Sequence, residues 1–409
     1  MVEIRSDVVT SPSRSRAWIL AVFFVLAFGS FGDAFVSYRT LLPTGHLEHH
    51  EPWQSELPAL PPGPDQQHDL IFQFYPWAHF LKESAGEGRF PLWNPYNYLG
   101  TPFFANPQTA VLFPGSWLHL VLPLRYSFTA LLILKLFLVL SGTFLWLRQR
   151  QLSLPAAVFG AFAFGLSMHT VAGLAFPYGS VTSLLPWLLF ATERLAVASR
   201  PGEKRRAFAG ASTAAALVVL AGQPQSALVA FLAAVLWTLL GARPPRLGTS
   251  IRVGSALLTG GLLSGIQWIP SLAYTMESMV PEAPRFIQSG YPYSWGSFLT
   301  LVVPDFFGSL LDDTFWGFPG YHDLTFYSSA LLLILIPIGL SRGTLDTAHR
   351  PALVGGLLAF ALMIGLAPFE WLLDLPGFDL VRRNKLVPLL LLSLIYLAAA
   401  GLDLSLIHI

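Results

Sequence analysis

A lone carboxylate, Asp33, sits in FGDAFVSYR, where the first apolar run gives way to a polar stretch. An acid at that boundary is partly desolvated, which suits it to general-base work; an interfacial acid that simply ends the run is the plainer alternative. Asp69 and Gln73 follow at i and i+4 in DLIFQFYPW, so on a helix they share a face, with Tyr75 and Trp77 close by. Carboxylate, amide and aromatic ring together can hold a polyol by hydrogen bonding and stacking, and Asp69 can cap the same helix. Trp93, Asn94, Tyr96, Asn97, Asn106 and Gln108 extend this chemistry through FPLWNPYNYLGTPFFANPQ. Aromatic residues also gather at membrane interfaces without any ligand. Asp33 and Asp69 are the catalytic candidates; Gln73, Tyr75, Trp77, Trp93, Asn94, Tyr96, Asn106 and Gln108 are the substrate-binding ones.

The cations complete the set. Lys135 lies in the middle of LLILKLFLVL. A charge there costs roughly 2.5–3.5 kcal/mol on insertion scales, so it must face the interior and find a partner, either a phosphate or an internal acid. Arg382, Arg383 and Lys385 follow LPGFDLV; guanidinium forks at such a place suit a lipid phosphate, or they are a tolerated exception to the charge bias of membrane loops. His46, His49 and His50 have ligand-like spacing, but they fall in a Pro-rich stretch with little to orient them, which argues against a metal. Asp305, Asp312, Asp313, His322 and Asp323 could offer metal-binding oxygens or a second acid, and nothing in their spacing demands it. The cofactor is left unknown: a divalent metal could be used, but nothing indicates one.

The elements that must position these groups are written in the hydropathy. Of the 409 residues 54% are hydrophobic and 11% charged, against about 25% charged in soluble domains, and the mean hydropathy is +0.57. The expected fold class is an all-α polytopic membrane protein. There is no cysteine, which excludes disulfides and thiolate chemistry, and the net charge of +1 with no basic block gives no reason to expect nucleic acid. Ten apolar stretches, near 17–32, 126–147, 155–175, 180–198, 207–222, 225–241, 253–270, 325–341, 352–369 and 384–402, predict about ten transmembrane helices. Arg5, Arg14, Arg16, Arg148, Arg150, Arg200, Lys204–Arg206, Arg243, Arg246, Arg252, Arg342 and Arg350 all fall on one side if the N-terminus is cytoplasmic.

Two long loops, 33–125 and 271–324, then face outward with most of the acids. Residues 69–85 place Leu70, Phe74, Trp77 and Leu81 at helical spacing, predicting a helix lying on the membrane surface. Residues 109–122, with Pro114 and His119, read as a re-entrant or interfacial piece, and FPLWNPYNYLGTPF as neither helix nor strand. Residues 1–403 read as one transmembrane domain. The last six, LSLIHI (404–409), are what a common sequencing-library transposon end encodes, and read as a non-native end of a truncated frame.

Together these blocks resemble the YfhO family of bacterial membrane proteins, within the GT-C type of glycosyltransferases. The resemblance is strongest from DLIFQFYPWAHF to NPQTAVLFP and continues through LPWLLFATERL, LAGQPQSAL, GIQWIPSL, VVPDFFG and LPGFDLVRRNKL. It implies a polyprenyl-phosphate sugar donor, an extracytoplasmic glycan or lipid acceptor, an essential acid after the first span, matched by Asp33, and an outer arginine block, matched by Arg382 and Arg383. RRNK stands where the family's usual pattern is Arg-x-Pro-x-Arg, and Lys135 stands where relatives often carry His. The expected location is the bacterial inner membrane, and the expected activity an inverting glycosyl transfer with Asp33 as base. The alternative is a transporter or lipid-linked sugar flippase that breaks no bond.

Overall fold

The computed structural model describes residues 14–37, 40–56, 68–241, 247–279, 290–310, 312, 314–341, 348–375 and 377–407. Arg5, Arg243, Arg246, Arg342, Asp313, residues 57–67 of the Pro-rich stretch, and the last two residues lie outside them.

The chain is mostly helical. Helix α1 (Arg14–Phe31) and the short α2 (Asp33–Val36) open it. The first loop carries α3 (Trp53–Glu56), a π-helical turn Leu70–Phe74 that runs into α4 (Tyr75–Gly86), and α5 (Leu118–Val121). Then come α6 (Leu124–Gln149), α7 (Leu154–Gly165), α8 (Met168–Gly173), α9 (Pro177–Val197), α10 (Pro201–Leu220), α11 (Pro224–Leu240), α12 (Leu247–Leu263) and α13 (Gly265–Met276). After the second loop follow α14 (Leu332–Ser341), α15 (Arg350–Met363), α16 (Ala367–Glu370) and α17 (Val387–Ile407). Proline stands in the first turn of α7, α9, α10, α11 and α15. There its missing N–H costs nothing and its φ is already helical.

Helix α6 packs on α1, α7 and α9; α10 packs between α9 and α12; α17 lies against α7, α14 and α15. Small residues let these backbones close up, as in other bilayer-type bundles. A Cβ on Gly401 of α17 would run into the Leu335 carbonyl of α14, and one on Gly142 of α6 would sit 2.5 Å from the Trp187 ring of α9. One core of Leu, Ala, Phe and Trp runs through the bundle, and a small satellite of Phe80, Leu81, Phe103, Phe104 and Val111 lies in the first loop.

Each of the ten apolar stretches contains a helix, but the count of ten spans is corrected. Among the described residues, Leu124–Gln149 and Arg383–Leu406 are by themselves long and apolar enough to cross a membrane. Two bent pairs raise the number to four if each is one span: Leu247–Leu263 with Gly265–Met276 at 72°, and Arg350–Met363 with Ala367–Asp374 at 102°. A hydropathy window reads straight across a backbone break. The stretch near 155–175 is cut at Leu166–Ser167, and that near 325–341 is helical over only ten residues.

At one end of the bundle Arg150 pairs with Glu193 at 2.6 Å and reaches the Ala348 carbonyl at 2.8 Å, which Tyr396 Oη also contacts at 3.0 Å. Lys135 lies fifteen residues before Arg150 on α6, roughly 22 Å away at 1.5 Å per residue. The groups that could do chemistry therefore gather toward the opposite end from this ionic cluster.

Candidate functional site

Two cavities open at that opposite end, each roofed by one of the long loops. The first holds about 60 Å³ and is lined by Trp77, Gln108, Ser116, His119, Lys135 and Ser180, among others. The second holds about 250 Å³ and is lined by Tyr291, Tyr293, Asp323, Arg382, Arg383 and Asn384, with Gly290 and Pro319.

The first cavity is built by a loop that satisfies itself. Leu70 and Leu81 are buried, and Phe74 and Trp77 half-buried, so the apolar face expected to lie on lipid packs onto protein. The side chain of Asp69 makes no capping hydrogen bond and is exposed. Asn94 Oδ1 accepts from the Tyr96 N–H at 3.0 Å, and Asn106 Oδ1 from the Gln108 N–H at 3.1 Å. Both asparagines expected to face a polyol are thus used to close their own turns, a local bond that Asn makes readily. Between them FPLWNPYNYLGTPF forms a two-residue antiparallel pair, Trp93 opposite Pro102 and Asn94 opposite Thr101. Tyr98, Leu99 and Gly100 turn the chain there at positive φ. Trp93 and Tyr96 are exposed, Tyr96 edge-on to Phe80, and Tyr75 stacks on Phe128.

Below this loop Gln73 donates to Gln108 at 3.3 Å and Gln108 to Gln223 at 3.4 Å, an amide ladder from the first loop to the start of α11. Gln267 of α13 donates to the Phe104 carbonyl at 2.7 Å. Lys82 Nζ gathers the carbonyls of His119, Leu120 and Leu122, the orphan acceptors at the end of α5. His119 Nδ1 lies 2.8 Å from Ser127 Oγ. Burial, then the nearby charges of Lys135 and Lys82, push its imidazole down to about 4, so it is neutral at ordinary pH.

Lys135 faces the interior, as its position required. Its partners are two carbonyls, Leu174 at 2.8 Å and Phe176 at 3.0 Å, released where the chain breaks between α8 and α9. No acid pairs with it among the described residues.

The second cavity is built on the break after α15. Gly365 turns there at φ +70°, a conformation that suits glycine, and the chain re-enters a short helix carrying Glu370. Arg383, 4% exposed, reaches back to donate to the Leu362 carbonyl at the end of α15 and to Glu370 Oε1 at 2.8 Å. Its Nε–H is buried with no hydrogen-bond partner. The Tyr293 N–H bonds the Met363 carbonyl at 2.9 Å, pinning the second loop to the same break. A 3₁₀ turn, Tyr321–Leu324, presents Asp323, and the next-door turn, Arg383–Leu386, presents Asn384, whose amide donates to Asp323 Oδ1 at 2.7 Å. Arg382 is exposed at the cavity wall.

Phe176 stacks on Tyr178 and meets both His322 and Phe74 edge-on. Lys385 Nζ lies 4.5 Å over the Tyr178 ring. These aromatic side chains lie between the two groups of cavity-lining residues.

Of the residues singled out from sequence, Trp77, Gln108 and Lys135 line the first cavity and Asp323, Arg382 and Arg383 the second. Asp33 begins α2 with an exposed side chain, lines neither cavity, and shares that with Asp69. Among the described residues the Asp33 side chain stays exposed. Asn384, Glu370 and Tyr293 were not legible as site residues. Asn384 is adjacent to the arginines in RRNK, and that adjacency was the signal available. Among the described residues no three His, Asp or Glu side chains converge as a metal site.

No protein-family profile and no curated protein sequence matches the chain. Solved structures do. The arabinofuranosyltransferase AftD from Mycobacteria matches at 20% identity over 95% of this chain and 24% of its own, with a TM-score of 0.56. A mutant form of AftD matches at 18% over 97% and 27%, TM-score 0.55. ArnT from Cupriavidus metallidurans, bound to undecaprenyl phosphate, matches at 14% over 80% and 55%, TM-score 0.45. The chain thus spans about a quarter of AftD, and the likeness to AftD shows a shared fold.

Proposed function

We propose that this chain is a membrane glycosyltransferase that moves a sugar from a polyprenyl-phosphate donor to a glycan or lipid acceptor on the outer face of the bacterial inner membrane. The observation that carries this is the 250 Å³ cavity in which Arg382, Arg383 and Asn384 converge with a carboxylate. It is smaller than drug-sized pockets, which run from about 300 Å³, and of a size for one sugar phosphate. Guanidinium groups hold the donor phosphate and stabilise the charge that builds on it as the glycosidic bond breaks. Phosphate leaves without a proton, so one carboxylate base is enough for a single inverting displacement. The fold shared with AftD and the YfhO-like sequence blocks support the same reading, and AftD's arabinofuranosyl activity makes a pentose donor the first to try.

The test is transfer by the full chain in lipid vesicles, with polyprenyl-phosphate pentoses and hexoses as donors and cell-envelope glycolipids as acceptors. Release of polyprenyl phosphate is expected, and Arg382→Ala should raise the donor KM by about 10- to 100-fold, the loss of one charge-assisted contact of about 1.5–3 kcal/mol. No release from any donor sinks the proposal. The two bent helix pairs favour a second reading, a lipid-linked sugar flippase, since broken helices also build transport sites. Movement of labelled lipid across the vesicle without bond cleavage would establish it instead.

A further inference from the structure

We propose that Asp323 is the general base of the displacement, an assignment that rests on the transfer reading above. The argument is one of reach. In an inverting displacement the phosphate, the anomeric carbon and the attacking oxygen lie roughly in line, and the base must come within about 2.6–3.2 Å of that oxygen. If Arg382 and Arg383 hold the phosphate, the base has to share their cavity. Asp323 does; Asp33 and Asp69, both exposed, line neither cavity.

The carboxylate is also braced as a base should be. Asn384 donates to Oδ1 at 2.7 Å from the turn that carries Arg383, so base and phosphate clamp sit on two adjoining turns joined by one hydrogen bond. Thr325 Oγ1 donates to the His322 carbonyl at 2.8 Å and tightens the turn under Asp323. Asp323 Oδ2 has no hydrogen bond among the described residues, which leaves it for the acceptor. Two further buried atoms at this cavity's residues lack partners, Arg383 Nε and Asn384 Oδ1.

The step balances. The acceptor O–H proton passes to Asp323 Oδ2 as the acceptor oxygen bonds to the anomeric carbon. The bond from that carbon to the phosphate oxygen breaks, its electron pair leaves on polyprenyl phosphate, and Asp323 returns the proton to outer-face water.

The experiment compares Asp323→Asn, Asp323→Glu, Asn384→Ala and Asp33→Asn in full-length protein in vesicles, using whichever donor of the panel the wild type consumes. Binding of undecaprenyl phosphate and the thermal unfolding midpoint are measured alongside. Asp323→Asn is expected to lower kcat by about 10²- to 10⁴-fold, with undecaprenyl phosphate affinity within about threefold and the midpoint unmoved. Asp323→Glu should keep part of the rate with a shifted pH profile. Asn384→Ala removes a hydrogen bond to the charged carboxylate, so the acidic limb of the pH–rate profile should move up. Near wild-type turnover in Asp323→Asn overturns the assignment. So does parallel loss of lipid binding or folding, which would make Asp323 a structural group, and so does a deeper loss in Asp33→Asn. A wild type that consumes no donor overturns the transfer reading itself.

Discussion

The two cavities use the same kinds of side chain to opposite ends. Under the first loop, polar groups are spent on the protein: asparagines close turns, glutamines hold one another, and Lys82 and Lys135 gather carbonyls at helix ends. What remains is a cavity of about 60 Å³. Under the second loop, the cavity is about four times larger and sets Arg382 and Arg383 beside a carboxylate braced by Asn384. The first region is a polar girder, the second the site we propose.

The sharpest way to break this contrast is Lys135→Met. Orphaning the Leu174 and Phe176 carbonyls should cost about 3 kcal/mol, seen as a lower unfolding midpoint, with donor KM moving less than stability does. The reverse order would move Lys135 into the donor site. Glu370→Ala should cost about 2–3 kcal/mol, less than the 3–5 of a fully buried pair because Glu370 is 37% exposed. Here the companion effect on donor KM should be large, about tenfold, since Arg383 loses its brace; an unmoved KM would take Arg383 out of the phosphate clamp.

Acid should weaken the girder first. The unfolded chain takes up the His119 proton near pH 6.5 and the folded chain only near 4, so between these values the unfolded state binds more protons. Stability therefore falls as pH falls, by about 2 kcal/mol from pH 7.5 to 5 for this group. His119→Gln should flatten that part of the dependence, measured as the difference in unfolding midpoints at the two pH values. Gln108→Ala, which cuts the amide ladder, should cost only about 1 kcal/mol, with a smaller midpoint shift than any of the others.

Sequence alone determined the helical class, because apolar composition acts locally. It placed Lys135 in the interior, because no other position tolerates that charge, and it flagged the arginines because they break the charge bias of membrane loops. It could not say which helices run unbroken, since hydropathy does not register a turn at Ser167 or Gly365. Nor could it separate the asparagines that close turns from groups left free for a ligand, because both look alike in a polar aromatic loop. That choice was made by the tertiary structure: the break after α15 brings Leu362, Glu370 and Tyr293 around Arg383, and two turns some sixty residues apart, Tyr321–Leu324 and Arg383–Leu386, meet through Asp323 and Asn384.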